Sequence, residues 1–286
     1  MTKQKRHKIL RIPFIGSKWD RVNDVKDIAE AGGYTRVIEP FGGSGVLSVN
    51  LALEGLEAVI NDYDHYFDDF EELCDLQDKM LDDIETMGFE VGIKIKQPQH
   101  VIDWLQNYVA NMTPKQRRFL AQNYMFSVET ARYDGTEVKG FKYIKYNKRS
   151  DSRREYFKVI KGNNVKLDNL DYLDFFEKYA HEEPGHKTLM LLDPPYLNST
   201  QSSYKNEAFF GLAETIGLLD LAFGSGLDFI LFNQIAKDTE ALIGLYKPDI
   251  LDIKTRKRTT HSGTPREDVL ALVQHTKNQN VTNTTP

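Results

Sequence analysis

The stretch Thr188–Tyr196 reads TLMLLDPPY and joins an apolar run to an acid, two prolines and an aromatic ring. The apolar run Thr188–Leu192 predicts a central strand of a parallel sheet, because such strands are apolar on both faces. Proline has no N–H to donate to a neighbouring strand, so the two prolines end the ladder. Asp193 and Tyr196 are thereby fixed at the carboxyl edge of a sheet, where open α/β sheets bind their ligands. Taken alone, these residues are equally typical of a turn that simply ends a strand.

The overall composition is that of a globular protein able to bury a sizeable core. The chain has 286 residues, of which 40% are hydrophobic and 28% charged, and a net charge of −5. This length suits one large α/β domain, or one domain that carries an insertion. Apolar runs fall well short of the about 20 residues of a membrane span, so a cytoplasmic protein without membrane contact is expected. The lone Cys74 excludes an internal disulfide, the histidines show no ligand spacing, and no metal is expected.

A glycine-rich turn joins the first predicted strand to a helix. The strand is Arg36–Glu39, and Glu39–Gly45 reads EPFGGSG. Glycine lets a ligand approach the backbone closely. A second strand is predicted at Glu57–Asn61, and Asp62 follows it, where a carboxylate can accept hydrogen bonds from ribose hydroxyls. This β-α-β pattern predicts a doubly wound, Rossmann-like α/β sheet, and the turn alone fits NAD as well as S-adenosylmethionine.

The α/β pattern is interrupted in the middle of the chain. Asp62–Glu90 is strongly acidic, whereas Lys139–Lys166 contains ten basic and two acidic residues together with several aromatic rings. A basic stretch on a net acidic protein is a candidate surface for phosphate groups, although a solvated charged face has the same composition. Four segments are predicted: a first α/β part at 1–89, a mainly helical insertion at 90–165, a second α/β part at 166–275 and a disordered tail at 276–286.

Four motifs, in this order along most of the chain, resemble those of the amino-directed DNA adenine methyltransferases, specifically the Dam-like D12 class of α type. The motifs are Pro13–Lys18, Glu39-Pro40-Phe41-x-Gly43-x-Gly45, Asn61-Asp62 and Asp193-Pro194-Pro195-Tyr196. The first motif departs from the family at Phe14, where tryptophan is usual, and at Ile15 and Ser17. The basic loop from Arg256 to Arg258 and the strand at Asp268–Leu270 are similar to the family's last elements.

This resemblance implies a class I methyltransferase sheet, S-adenosyl-L-methionine as cofactor, and methyl transfer to the N6 amine of adenine. The segments 1–89 and 166–275 would form the catalytic domain, and 90–165 the target-recognition domain. The implied cofactor-binding residues are Phe14, Lys18, Glu39, Pro40, Phe41, Gly43, Gly45, Asp62, Asp171 and Asp193. Capping of a helix N-terminus is the alternative role of Asp171.

The implied catalytic residues are Asp193, Pro194, Pro195 and Tyr196. The exocyclic amine of adenine is a weak nucleophile, because its lone pair is delocalised into the ring. The carboxylate of Asp193 and the carbonyl of Pro194 can accept hydrogen bonds from the two N–H groups of the amine. These hydrogen bonds favour the pyramidal nitrogen that attacks the sulfonium methyl. Tyr196 can stack on the base, which must leave the duplex to arrive there.

Double-stranded DNA is the expected partner, and the insertion holds the candidate contacts. Base contacts are expected beside a predicted turn, from Arg132, Tyr133 and Lys139. Phosphate contacts are expected from the denser charge run, from Lys148, Arg149, Arg153 and Arg154.

Two alternatives stay open at this point. The motif Asp193–Tyr196 marks an amino target more firmly than a particular base, so methylation of cytosine N4 or of an RNA adenine is the alternative among enzymes. A catalytically silent DNA-binding module is the alternative from another class, and the intact motifs argue against it. A monomer is expected, a restriction endonuclease is a candidate partner, and the recognition sequence is not determined.

Overall fold

The computed structural model of the chain describes residues 8–12, 14, 16–88, 94–96, 99–122, 143–145, 150–196, 210–234, 241–242, 250–259 and 265–273. A 3-10 helix at Trp19–Arg21 comes before the first α-helix. The helices are α1 (Val22–Gly32), α2 (Val46–Leu53), α3 (Phe70–Thr86), α4 (Gln99–Ala110), α5 (Pro114–Gln122), α6 (Asp151–Ile160), α7 (Tyr172–Tyr179) and α8 (Leu212–Gly224). The strands are β1 (Arg36–Glu39), β2 (Glu57–Asn61), β3 (Lys94–Lys96), β4 (Tyr143–Lys145), β5 (Val165–Asp168), β6 (Thr188–Leu192), β7 (Asp228–Gln234), β8 (Ile250–Thr259) and β9 (Pro265–Val273).

Seven strands form one mostly parallel sheet in the order β5-β2-β1-β6-β7-β9-β8. Strand β1 pairs in parallel with β2 and β6, and β6 pairs in parallel with β7. Strand β9 lies antiparallel between β7 and β8. Helices in the connections between parallel strands are what such a sheet requires. The doubly wound, Rossmann-like sheet expected of a class I methyltransferase is therefore confirmed.

The order of the strands reverses between β1 and β6. From β1 the chain crosses over to β2 on one side, whereas β6 and β7 lie on the other side. Val37 pairs with Leu189 and Ile38 with Met190, so the two strands end side by side at the carboxyl edge of the sheet. Ligands of open α/β sheets bind in the crevice outside such a switch point.

The central strands are apolar because both of their faces are covered. All residues of β1 and β6 are buried, which confirms the strand predicted at Thr188–Leu192 with the same bounds. The core around these strands comes from β1, β2, β6 and β7 together with α7 and α8, and includes Ile38, Val59, Phe175, Phe176, Met190, Leu218, Leu219 and Phe229. This packing fixes the strand ends from which the candidate site is built.

The chain divides into two compact units. The first unit comprises Met1–Val25, Gly43–Glu54 and Asp64–Lys166, and the second unit comprises Lys26–Gly42, Gly55–Tyr63 and Leu167–Pro286. The second unit holds the seven-stranded sheet apart from Val165 and Lys166, the first two residues of β5. The predicted insertion at 90–165 and its boundaries stay predictions, and the predicted tail at 276–286 lies outside the described residues.

The first unit is held by aromatic packing around α3. The ring of Phe70 contacts those of Phe119 on α5 and Phe157 on α6, with centroids 5.6 Å and 4.9 Å apart. The first turn of α5 is fixed by a reciprocal pair: Gln116 N–H donates to Thr113 Oγ1 at 3.2 Å, and Thr113 N–H donates to Gln116 Oε1 at 2.9 Å. This is a capping box, which satisfies backbone donors at a helix start.

Within the described ranges, none of the helices has the length and apolar composition that crossing a bilayer requires. The same ranges contain no group of three or more His, Cys, Asp or Glu side chains that could hold a metal ion.

Candidate active site

The Asp-Pro-Pro-Tyr stretch emerges from β6 at the carboxyl edge of the sheet. Leu191 and Leu192 are buried, Pro194 is buried beyond them, and Asp193 and Tyr196 are half-buried. The carboxylate is thus anchored by a strand with no exposed residue, while its own side chain lies where the core ends. Asp193 also follows the strand that neighbours β1, so it belongs to the switch point.

The turn after β1 is tied down by Asn61, a buried residue at the end of β2. Its Nδ2 donates to the carbonyls of Pro40 at 3.0 Å and Leu170 at 2.9 Å, and its Oδ1 accepts the N–H of Leu170 at 2.9 Å. Its backbone carbonyl accepts the N–H of Gly42 at 3.2 Å. The sequence analysis placed Asn61 in a motif with Asp62 but gave it no role. The available signal was a polar residue that ends an otherwise apolar strand.

Gly42 is the glycine that the close approach of this turn to β2 requires. A Cβ at this position would lie 2.5 Å from Ile60 Cγ2 and 2.7 Å from the carbonyl oxygen of Asn61. Both distances are shorter than van der Waals contact, so a side chain here would push the turn off the strand. The sequence interpretation had assigned the cofactor role to Gly43 and Gly45 and left Gly42 without one.

Asp62 is buried directly after β2. Its N–H donates to the carbonyl of Asp168, and the carboxylate of Asp168 accepts hydrogen bonds from Lys178 Nζ and the hydroxyl of Tyr179, each at 2.7 Å. Burial acts to raise the pKa of Asp168, but these two donors outweigh it and hold the pKa below its ordinary value. The N–H of Asp62 thus links the end of β2 to the end of β5, and the carboxylate of Asp168 links β5 to α7.

Three aromatic rings lie beside these strand ends. Phe41 stacks on Tyr172 with centroids 5.6 Å apart, and Phe210 meets both rings edge-on at 5.8 Å. Burial, followed by the charges of Asp171 and Glu214, raises the pKa of the Tyr172 hydroxyl. Sequence reasoning found Phe41 but missed Tyr172 and Phe210, since no motif contains Phe210 and the aromatic spacing alone is typical of a core.

Asp171 is the N-cap of α7. Its Oδ1 accepts the N–H of Leu173 at 2.9 Å, which is the alternative that the sequence left open. A carboxylate has a second oxygen, so capping and contact with a ligand are compatible, and the contact stays a proposal.

The N-terminal motif meets the glycine turn in the first unit. The φ angles of Gly43 and Gly45 are +51° and +64°, and the ring of Phe14 lies against Gly43. Phe14 also packs edge-on against Tyr66 at 5.2 Å. Lys18 is buried, and its Nζ donates to the carbonyl of Gly16 at 2.8 Å. The phenyl ring of Phe14 therefore takes a defined place beside the turn, although the family usually has tryptophan there.

Of the expected DNA contacts, only Arg153 and Arg154 fall within the described residues. Arg153 is 3% exposed and donates to Ser150 Oγ at 3.3 Å. Arg154 donates to Asp78 and Asp75 of α3, each at 2.7 Å. Both guanidiniums thus have intramolecular partners, Arg153 at the start of α6 and Arg154 on the acidic helix α3, whereas the sequence predicts phosphate contacts for them. The other predicted contacts lie outside the described residues: Arg132, Tyr133, Lys139, Lys148 and Arg149.

Cys74 is a residue of α3. It is fully buried, and the hydroxyl of Ser150 donates to its backbone carbonyl at 3.3 Å. Burial raises the pKa of the thiol to about 11, so the thiolate that nucleophilic chemistry needs is not formed near neutral pH. Cys74 is therefore part of the packed core.

The chain is similar to a family model, to a curated protein and to a solved structure. A model of the family described as "D12 class N6 adenine-specific DNA methyltransferase" matches residues 14–221. A Haemophilus influenzae protein named "Putative methyltransferase" is 25% identical over 242 residues, which cover 77% of this chain and 75% of that protein. The crystal structure of M. jannaschii TYW2 in complex with AdoMet matches with a TM-score of 0.33 and 11% identity, covering 93% of this chain and 82% of that one. The match to the family model includes the glycine turn, Asp62 and the whole of Asp193–Tyr196.

Proposed function

Because the chain belongs to the family of D12 class N6 adenine-specific DNA methyltransferases, we propose that it methylates the N6 amine of adenine at a specific site in double-stranded DNA. The methyl donor is S-adenosyl-L-methionine, the cofactor of this family. The observation that carries the proposal is the placement of Asp193 and Pro194 directly after the buried strand β6, beside β1 at the switch point of the sheet.

The residues present suit this cofactor. Glycine at 42 and 43 allows the turn after β1 to lie close to β2 and to Phe14, where a Cβ would intrude. Asp62 is a carboxylate at the end of the second strand, which is the position that binds ribose hydroxyls in doubly wound folds. The rings of Phe41, Tyr172 and Phe210 offer flat apolar surface to a purine.

For the chemistry, the cofactor supplies an electrophilic methyl group on a sulfonium. Asp193 and the carbonyl of Pro194 accept hydrogen bonds from the two N–H groups of the target amine. The nitrogen then becomes pyramidal, so that its lone pair is no longer delocalised into the ring. The N–C bond forms as the S–C bond breaks. The electron pair of the S–C bond stays on sulfur, which becomes a neutral thioether, and one N6 proton is lost to solvent. Tyr196 stacks on the base, which leaves the duplex to reach these acceptors.

Incubation of the protein with double-stranded DNA and labelled S-adenosylmethionine, followed by nucleoside analysis, tests the proposal. N6-methyladenine that is absent with Asp193→Ala is the expected result. N4-methylcytosine, or methylation of RNA alone, would support the alternative amino target. DNA binding with no methyl transfer and no cofactor binding would instead identify a silent binding module.

The more specific predictions follow from the proposed function. We propose that segment 90–165 recognises the target, with base contacts from Arg132, Tyr133 and Lys139 and phosphate contacts from Lys148 and Arg149. A monomeric state, a cytoplasmic location and a restriction endonuclease as partner stay predictions. Sequencing that detects modified bases, on DNA from cells expressing the protein, would reveal the recognition sequence.

A further inference from the structure

A tyrosine outside every recognised motif holds the cofactor turn. The hydroxyl of Tyr156, on α6, donates to the backbone carbonyl of Ser44 at 2.6 Å, and Tyr156 has no exposed surface. Ser44 lies between Gly43 and Gly45, both of which have positive φ. The carbonyl that Tyr156 engages is therefore the one between the two most permissive residues of the turn.

Helix α6 is itself fixed, so the hydroxyl is presented from a defined position. Arg154 bridges Asp75 and Asp78 of α3 at 2.7 Å each. At the start of α6, the N–H of Ser150 donates to the second oxygen of Asp78 at 2.9 Å. Phe157, the neighbour of Tyr156, stacks on Phe70. Polar and aromatic contacts on one face of α6 thus hold it against α3.

The beginning of the same turn is held separately. Asn61 donates to the carbonyl of Pro40 at 3.0 Å, and its own carbonyl accepts the N–H of Gly42 at 3.2 Å. Within the segment 40–45, Asn61 therefore engages the residues that leave β1, and Tyr156 engages the residue that enters α2.

We infer that Tyr156 and Asn61 are positioning residues that hold the segment 40–45 in its cofactor-binding conformation before the cofactor arrives. Glycine loses more conformational freedom on ordering than any other residue, and this segment has glycine at three of its six positions. A turn ordered in advance does not lose that freedom on binding, which raises affinity. The inference rests on the proposed function, because it concerns the proposed cofactor site.

The experiment compares two tyrosine-to-phenylalanine variants by calorimetry with S-adenosylmethionine. Tyr156→Phe removes only the hydroxyl that reaches Ser44. Tyr34→Phe is the matched control, since the hydroxyl of Tyr34 donates to Asp228 at 2.7 Å at the amino edge of the same sheet, opposite the candidate site. Tyr156→Phe is expected to raise the dissociation constant about three- to tenfold, the loss of one hydrogen bond, and to raise KM for the cofactor with kcat nearly unchanged at saturation. Tyr34→Phe is expected to lower stability and leave both constants within about twofold.

Two outcomes would overturn the inference. One is an equal change of the cofactor dissociation constant in both variants, which would show a general loss of stability. The other is a fall in kcat with an unchanged KM in Tyr156→Phe. If Tyr156→Phe does not fold, Asn61→Ser tests the same claim from the beginning of the turn, with the same expectation. Wild-type protein that binds no S-adenosylmethionine would instead refute the proposed function, so the two failures are distinguishable.

Discussion

The ring of Phe14 lies so close to Gly43 that a methyl group on this glycine would meet the ring carbon Cε1 at 3.2 Å. Gly43 also has a φ of +51°, a conformation that other residues adopt at a cost. Two independent reasons therefore require glycine here, and a suitable control separates them.

Gly43→Ala is expected to raise the dissociation constant of S-adenosylmethionine at least about tenfold, because the added methyl displaces either Phe14 or the turn. Gly33→Ala is the control, since Gly33 has a φ of +65° and nothing within 4 Å of an added Cβ. Both substitutions are expected to destabilise the fold by about 1 kcal/mol through the backbone conformation. Equal cofactor affinity in the two variants would refute the role of the Phe14 contact.

Asp193→Ala is expected to reduce turnover below about 1% of wild type, because the target amine loses one of its two acceptors. Cofactor binding is expected to survive in part, since the glycine turn and Asp62 remain. Methyl transfer to DNA at saturating cofactor measures the effect. A variant that keeps more than a few per cent of the activity would remove Asp193 from the catalytic residues.

Asp62→Ala is expected to act on the cofactor. Losing a charge-assisted hydrogen bond to a ribose hydroxyl costs about 1.5–3 kcal/mol, so the dissociation constant should rise about ten- to a hundredfold, with turnover recovered at high cofactor concentration. Asp228→Asn, at the amino edge of the sheet, is the control and should leave affinity unchanged. No difference between the two variants would argue against the ribose contact.

The lowered pKa of Asp78 predicts that the stability of the protein depends on pH. Burial acts to raise the pKa of this carboxyl, but hydrogen bonds from Arg154 and Ser150 hold it below its ordinary value of 3.8. The resulting stabilisation is present above that ordinary value and is lost as the pH falls through the lower folded-state value. Between about pH 6 and pH 2, the free energy of unfolding of the wild type should therefore fall more steeply than that of Asp78→Asn.

Urea unfolding at several pH values measures this slope. Asp151→Asn is the control, because Asp151 is exposed and its carboxylate lies 4.0 Å from the same guanidinium. Its slope should match that of the wild type. Parallel curves for Asp78→Asn and wild type would contradict the expectation.

Changes at Arg132 or Lys139 are expected to relax discrimination at one base pair of the recognition site, with a loss of about 1–3 kcal/mol for a base contact. Arg154→Gln is the comparison within the same basic stretch. Because Arg154 is paired with Asp75 and Asp78, its loss should lower stability and leave the salt dependence of DNA binding unchanged. Methylation rates on single-base variants of the site, measured at several salt concentrations, check both. If Arg154→Gln flattens the salt dependence, Arg154 contacts phosphate after all.

The sequence predicted the parts of the fold that depend on local pattern. The strand β6 and the glycine turn were found with their bounds because apolar runs, glycine and proline determine backbone conformation within a few residues. The partner of Tyr156 lies 112 residues away, and that of Arg154 lies 76 residues away, so neither contact has a local signal. The basic run at 139–166 and the acidic run at 62–90 were each recognised, but their pairing through α3 and α6 depends on tertiary packing.

Because Cys74 is buried, the reactivity of its thiol reports how often the packing around it opens. It is the single cysteine of the chain, it is a buried residue of α3, and burial raises the pKa of its thiol to about 11. An alkylating reagent can modify it only when the packing around α3 opens, because reaction requires an accessible thiolate. The rate of alkylation under native conditions therefore measures how often this packing opens, without a label or an introduced residue. Following that rate while S-adenosylmethionine or DNA is added would show whether binding of either ligand makes this opening of the packing around α3 less frequent.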